Sequence, residues 1–220
     1  MVETYKLEDN VEPVINGNPI SDQDTFIDTG KLSRIQKKGK YYFTTQDLLI
    51  TAILGVVGGI ISALVPFALL IKSWYPFMGG TQMVSGHHIL WLALSYGFTK
   101  KKPAVFLTAI FKGFADFLLG AEWSAFEIVI NLYEGTSMLI GFIIMEKFKE
   151  GETNIGWGIA CGIGNFTQVP FFWILTGKIY LFHYTLLIMA MMFAFASGFV
   201  FAGLLGKAIV DRVRKSRVLD

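Results

Sequence analysis

Acidic, amide and imidazole side chains break into the apolar stretches of this chain at positions where they could do chemistry. Glu127, Asn131 and Glu134 recur at helical spacing on one stripe that Met138 continues. Lys112 and Asp116 stand four apart and can pair along one helix face. His87 and His88 precede Trp91, and Gln168, Trp173 and His183 follow further on. Carboxylates in such a setting accept hydrogen bonds from amino groups or balance a cation, while Trp91 and Trp173 offer flat faces to a ring. Imidazole is a common transition-metal ligand, but neighbours on a helix point about 100° apart, so the histidine pair alone cannot chelate one ion well. An alternative chemistry is an intramembrane enzyme using His87, Asp116, Glu127 or His183 as acid, base or metal ligand. No G-x-S-x-G or H-E-x-x-H pattern accompanies these residues, so no catalytic role, metal or cofactor is expected.

These side chains must be positioned by membrane helices. Of the 220 residues, 53% are hydrophobic, 15% aromatic and only 16% charged, and the mean hydropathy is +0.52. That composition is an integral membrane protein's. A hydrocarbon core of about 30 Å needs roughly 20 apolar residues per helix, and spans are expected at 47–71, 83–99, 103–120, 124–145, 155–176 and 182–206. The second and third are short. The fold class is therefore an all-α membrane protein, a six-transmembrane-helix bundle. Residues 1–46 form a polar N-terminal tail carrying Pro13 and the run Gly17 to Pro19, the bundle occupies 47–206, and 207–220 is a basic C-terminal tail. No cleaved signal peptide is expected, and the single Cys161 cannot form an intrachain disulfide.

Sixteen of the nineteen lysines and arginines fall on one side of these spans, two on the other, and Lys112 lies within a span. By the bias of basic residues toward the cytoplasm, both termini are cytoplasmic in a multi-pass protein of the cell membrane. Span three then rises outward, with Lys112 near its middle and Asp116 further out. Span four descends through Glu127, Asn131 and Glu134, span two begins outside with His87, His88 and Trp91, span five rises through Asn165 to Gln168 and Trp173, and span six starts near His183. Five helices thus aim polar or aromatic groups at one outward-facing cavity. Burying a charge at mid-membrane costs about 2.5–3.5 kcal/mol on insertion scales, so the cluster is either a structural ion-pair network of Lys112, Asp116 and Glu127 that fixes helix register or a ligand site, and both can hold. Lys112 and Asp116 form its supporting pair, and Glu127, Asn131 and Glu134 face the ligand. Trp74, Tyr75, Trp123, Trp157 and Tyr180 lie near span ends as an interfacial belt.

Span one carries Gly55-xxx-Gly59-xxx-Ala63, with Gly58-xxx-Ser62 beside it. Small residues every four positions make a flat strip for close helix approach. The strip either packs on a sister helix of this chain or docks a separate membrane subunit.

Further motifs lie between Phe77 and Lys207: Pro76-Phe77-Met78-Gly79-Gly80 before helix two, Lys102-Pro103-Ala104 opening helix three, and Asp116 followed by Phe117-Leu118-Leu119-Gly120 closing it. Tyr133-Glu134-Gly135 stands in helix four and Ala202-Gly203-Leu204-Leu205-Gly206-Lys207 ends helix six. In their order and spacing, together with the helix-one strip, these motifs resemble the substrate-binding S components of energy-coupling factor (ECF) transporters, most closely the hydroxymethylpyrimidine/thiamine type. The resemblance implies a high-affinity binder of thiamine or its pyrimidine precursor, working with a transmembrane T component and two cytoplasmic ATPases. Gly55, Gly59 and Ala63 would be its docking residues, where the family usually carries alanines. An S component for another vitamin or small molecule remains the alternative; a cobalt or nickel S component is a poorer fit, because that resemblance would imply metal-binding residues at the extreme N-terminus, where a long polar tail precedes helix one. The chain has no G-x-x-x-x-G-K-[ST] loop, so ATP dependence would come from partners, and no nucleic-acid partner is expected.

Overall fold

The structure, a computed structural model, describes residues 14–15, 18–19, 43–64, 80–121, 125–177 and 183–216. The chain divides into two compact units, Met1–Tyr42 and Phe43–Asp220. Within the first, β1 (Val14–Ile15) pairs antiparallel with β2 (Asn18–Pro19) across Gly17, a two-residue ladder inside the segment expected to be a tail. The remainder of 1–42, the expected span residues 65–71, Trp74, Tyr75, the run Pro76 to Gly79, Trp123 and Tyr180 lie outside the described residues.

The second unit is built from α1 (Thr45–Leu64), α2 (Gly86–Thr99), α3 (Lys102–Leu118), α4 (Phe126–Lys147), α5 (Asn154–Leu175), α6 (Tyr184–Ser197) and α7 (Gly206–Lys215). Several starts and stops have a local cause. Thr44 and Asp47 cap α1 reciprocally, Thr44 N donating to Asp47 Oδ2 at 2.8 Å and Asp47 N to Thr44 Oγ1 at 3.2 Å. Lys100 takes a left-handed conformation that ends α2, and Pro103 sits in the first turn of α3, where no amide hydrogen is needed. Gly120, at φ 74°, closes the turn after α3. Thr153 caps α5 by accepting from Gly156 N at 2.9 Å.

Four helices among the described residues are long and apolar enough to cross a membrane: Thr45–Ala63, Phe126–Lys147, Asn154–Leu175 and Tyr184–Lys215. Helices α2 and α3, with 14 and 17 residues, reach about 21 and 26 Å at 1.5 Å per residue. A 3₁₀ turn, Gly80–Met83, precedes α2. The last helix differs most from expectation. A π-helical segment, Gly198–Leu205, joins α6 to α7 without a break, and the residues expected to begin a tail at 207 continue the helix to Lys215. They do so because the face is not purely basic. Val210 is buried beside Gly97 and Trp157, Lys207 Nζ bonds Asp211 Oδ1 at 2.6 Å, and Arg214 donates to Gly97 O.

Ile89, Leu92, Ala93, Val105, Ala109, Met138, Phe142, Trp157, Ala160 and Cys161 form a core with no exposed surface. Glycines let the helices approach closely around it. A methyl at Gly141 would lie 2.7 Å from Ala160 O, and one at Gly162 would lie 2.8 Å from Phe195 Cε2. Gly141→Ala is therefore expected to destabilise by about 1–3 kcal/mol through overpacking, read as a lower melting temperature in detergent. Outward faces carry Ile53, Leu118, Ile155 and Ile174, which are exposed here and suit a lipid solvent.

The ends of the helices gather their charges. Lys101 pairs with Asp47, Lys100 with Glu152, and Lys102 Nζ with Glu146 Oε2 at 2.8 Å, while Tyr96 Oη donates to Glu146 Oε1 at 2.8 Å. These contacts tie the start of α1, the α2–α3 link, the end of α4 and the start of α5 at one end of the bundle, as an up-and-down arrangement requires.

Candidate functional site

The polar residues inside the bundle meet where α2, α3 and α4 cross. Packing at this junction is close enough that a methyl on Gly135, next to Glu134, would lie 3.0 Å from Ala109 Cβ and 3.2 Å from Leu92 Cδ2. Lys112, one turn beyond Ala109, is 2% exposed, yet its ammonium is compensated. It donates to Asp116 Oδ2 at 2.9 Å and to Asn131 Oδ1 at 2.8 Å. Asn131 closes the triangle, its Nδ2 donating to Asp116 Oδ2 at 3.1 Å and to Glu127 O at 2.8 Å. A buried ion pair holds only when its remaining lone pairs and protons find partners, and Asn131 supplies both kinds.

Two groups of the cluster stay open. Asp116 is buried, and its Oδ1 has no hydrogen-bond partner. Glu134, also buried, makes no hydrogen bond with another described residue, although Lys112, Glu127 and Asp116 all lie within electrostatic reach of it. On α2 the Trp91 Nε1 is buried without an acceptor, its ring lying against Gly58 of α1. The junction thus presents unfilled acceptors from two carboxyl groups, one unfilled indole donor and the half-buried face of Trp91. Deeply buried polar atoms are ordinarily satisfied, so the junction is the candidate ligand site of this bundle. Acceptors outnumber donors. A molecule bearing amino groups or a positive charge fits that imbalance better than an anion.

The sequence stripe is divided by this geometry. Glu134 is buried with no hydrogen bond to another described residue, whereas the Asn131 amide is taken up by the Lys112–Asp116 pair. Glu127 contributes its carbonyl to Asn131, and its half-buried side chain lies within reach of Glu134. His87 and His88 are half-buried, with ring centroids 4.0 Å apart and planes tilted by 46°, and lie within electrostatic reach of Lys112, and His87 Nδ1 bonds Val84 O at 2.7 Å. Among the described residues no group of three or more histidine, cysteine, aspartate or glutamate side chains gathers to hold a metal.

Other expected site residues go elsewhere. Trp173 packs against Val169, Ala190 and Ala194 between α5 and α6. His183 is exposed and caps α6, accepting from Thr185 N at 3.3 Å. Gln168 Nε2 donates to Asn165 Oδ1, and Asn165 Nδ2 donates to Ser85 Oγ at 2.8 Å and to Ala194 O at 2.7 Å. With Gly86 N bonded to Ser197 Oγ at 2.7 Å, these residues form a second buried knot pinning the start of α2 to α5 and α6. Gln82, not singled out from sequence, has a buried Oε1 without a partner in the 3₁₀ turn. Its signal was an amide placed just ahead of the His87–His88 pair.

Gly55 and Gly59 settle against α3. A methyl at Gly55 would lie 2.6 Å from Phe111 Cβ, and one at Gly59 would lie 2.5 Å from Ala115 Cβ. Of the two uses expected for the strip, the packing on a sister helix is the one seen for these glycines. Ala63 is half-buried further along α1.

The family described as the permease component of the ABC-type cobalt transport system matches residues 46–164, more than half of the chain. The protein belongs to that family. The match runs from α1 into α5 and includes Trp91, Lys112, Asp116, Asn131 and Glu134, while Gln168, Trp173 and His183 lie beyond it. The fold is shared with a crystal structure of an S-component of an ECF transporter, at a TM-score of 0.70 and 18% identity, covering 81% of this chain and 89% of that chain. No curated protein matches the chain. Family and fold both describe transporter components rather than enzymes, in agreement with the all-helical membrane architecture.

Proposed function

We propose that the chain is the substrate-binding S subunit of an ECF-type importer, taking thiamine or its hydroxymethylpyrimidine precursor in a pocket that opens to the outside. The observation that carries this reading is the buried Asp116, with its unpartnered Oδ1, and the buried Glu134 carboxyl at the junction of α2, α3 and α4, where α2 carries Trp91 with its unpartnered Nε1. An aminopyrimidine brings N–H donors for these acceptors, a thiazolium brings a positive charge, and each ring brings a face for the indole. In this reading all six helical rods cross the membrane, both termini are cytoplasmic, and a T component with two ATPases drives transport.

The family description favours a second cargo, cobalt. The site chemistry argues the other way. A divalent ion at Asp116 would stand against the Lys112 ammonium, 2.9 Å from the carboxylate oxygen it already neutralises, and would lack a gathered set of ligands among the described residues. Mass spectrometry of small molecules released from the purified protein, with cobalt measured on the same sample, separates the two. Bound thiamine or pyrimidine supports the proposal, and stoichiometric cobalt without an organic ligand overturns it. For the partners, uptake into vesicles is expected to require the T component and ATPases; uptake by the chain alone would contradict the S-subunit reading.

A further inference from the structure

Helix α1 touches both halves of the junction. A methyl at Gly58 would lie 2.6 Å from Trp91 Cγ and 2.9 Å from its Cβ, so the indole rests directly on the α1 backbone. Gly55 and Gly59, on the neighbouring stripe, meet the one stretch of α3 that carries the buried pair. Added methyls would lie 3.0 Å from Lys112 N at Gly55, and 3.0 Å from Lys112 O and 3.2 Å from Asp116 N at Gly59. Ser62, four residues beyond Gly58 on the same face, has a buried Oγ with no hydrogen-bond partner. Among the residues α1 touches are two with unfilled polar atoms, Trp91 with its Nε1 and the 3%-exposed Asp116 with its open Oδ1. The opposite face of α1, with Leu49, Ile53 and Val56, is exposed.

We propose that α1 is a positioning element for the ligand site, a rigid connector whose glycines set the separation between Trp91 on α2 and Lys112–Asp116 on α3. This rests on the reading of Trp91, Asp116 and Glu134 as ligand groups. Helix backbones packed this closely have no compressible side chain between them, so a lateral shift of α1 displaces the indole and the ion pair together. By reciprocity, occupancy of the site biases the position of α1, and whatever presses on its membrane face alters affinity. Gly55, Gly58 and Gly59 thus act through other residues and need not touch the ligand.

The test uses the full chain in detergent and isolates the Trp91 signal as the difference in emission between each protein and its Trp91→Phe counterpart. Gly59→Ala does not touch Trp91 but forces α1 away from Ala115, and it is expected to shift that difference emission and weaken thiamine binding about tenfold, within the usual range of coupling. Adding Ala115→Gly to Gly59→Ala removes the clashing methyl and is expected to restore both. Gly141→Ala, equally crowded but on the α4–α5 contact, should lower the melting temperature and leave both readouts at the wild-type value. Should Gly59→Ala fail to fold, Ala115→Gly alone, which lets α1 settle toward α3, is expected to shift the Trp91 signal. A Trp91 signal unmoved by the α1–α3 variants, or moved equally by Gly141→Ala, overturns the proposal. Absence of thiamine binding by the unaltered protein removes the substrate reading, while the Trp91 comparison still decides the role of α1.

Discussion

Glu134→Gln is expected to weaken binding of the amino-bearing ligand by about ten- to a hundredfold with little change in melting temperature. The carboxyl group is buried at the crossing of α2, α3 and α4 and bonds to no described side chain. Removing its charge therefore breaks no internal pair. A hydrogen bond to a charged group contributes about 1.5–3 kcal/mol, and each 1.4 kcal/mol is a factor of ten in affinity. Glutamine keeps the shape and one acceptor oxygen but introduces an N–H donor where the site already has Trp91 Nε1 unfilled. The measurement is calorimetric titration of both proteins with the same ligand. Equal affinity would move Glu134 into the structural set with Asn131.

Lys112→Met is expected to have the opposite signature, a large loss of stability. Among the described residues it removes the ammonium bonded to Asp116 and leaves the carboxylate with one Asn131 N–H at 3.1 Å and an Oδ1 that has no partner. Breaking a buried pair from one side costs about 3–5 kcal/mol, because the remaining charge stays uncompensated. Combining it with Asp116→Asn removes both charges and is expected to recover most of the melting temperature, as replacement of whole buried pairs often does. Binding should not recover with it, since Asp116 Oδ1 is one of the open acceptors. A double variant that regained full affinity would show that Asp116 only supports the fold.

The sequence made some of this arrangement legible and not the rest, for identifiable reasons. Apolar length located the helices, and i,i+4 spacing located the Lys112–Asp116 pair. Helical spacing also put Asn131 on a face with Glu134, but a wheel gives direction and not reach. The short Asn131 amide extends to Lys112 and Asp116 on the neighbouring helix, and which side chains a neighbour offers is a tertiary fact. The small-residue strip announced a close helix approach without saying which helix arrives; α3 does. Basic residues after 206 resembled a soluble tail because charge counts weigh Lys207 and Arg214 without their partners Asp211 and Gly97 O. The π segment Gly198–Leu205 left no trace in composition, since its i→i+5 register is set by packing of Gly198 and Phe199 against α5.

Two buried polar clusters, the Asn165–Ser85–Ser197 knot and the Lys112–Asp116–Asn131 triangle, each border a buried atom without a partner: Gln82 Oε1 at the first, where Ser85 Oγ donates to Gln82 O, and Asp116 Oδ1 at the second. The second carries the carboxyl groups, and the proposed ligand site is placed there for that reason. The chain belongs to a transporter permease family, and its fold is that of an S-component structure.

The most direct measurement is a calorimetric titration of the purified full chain with thiamine, with hydroxymethylpyrimidine and with cobalt(II) in separate runs. One-to-one binding of thiamine or the pyrimidine at a sub-micromolar Kd, about −8 kcal/mol or stronger, with no cobalt binding at comparable concentration, is the expected result. Tight stoichiometric cobalt binding, unaffected by Glu134→Gln and with neither organic molecule bound, would contradict it.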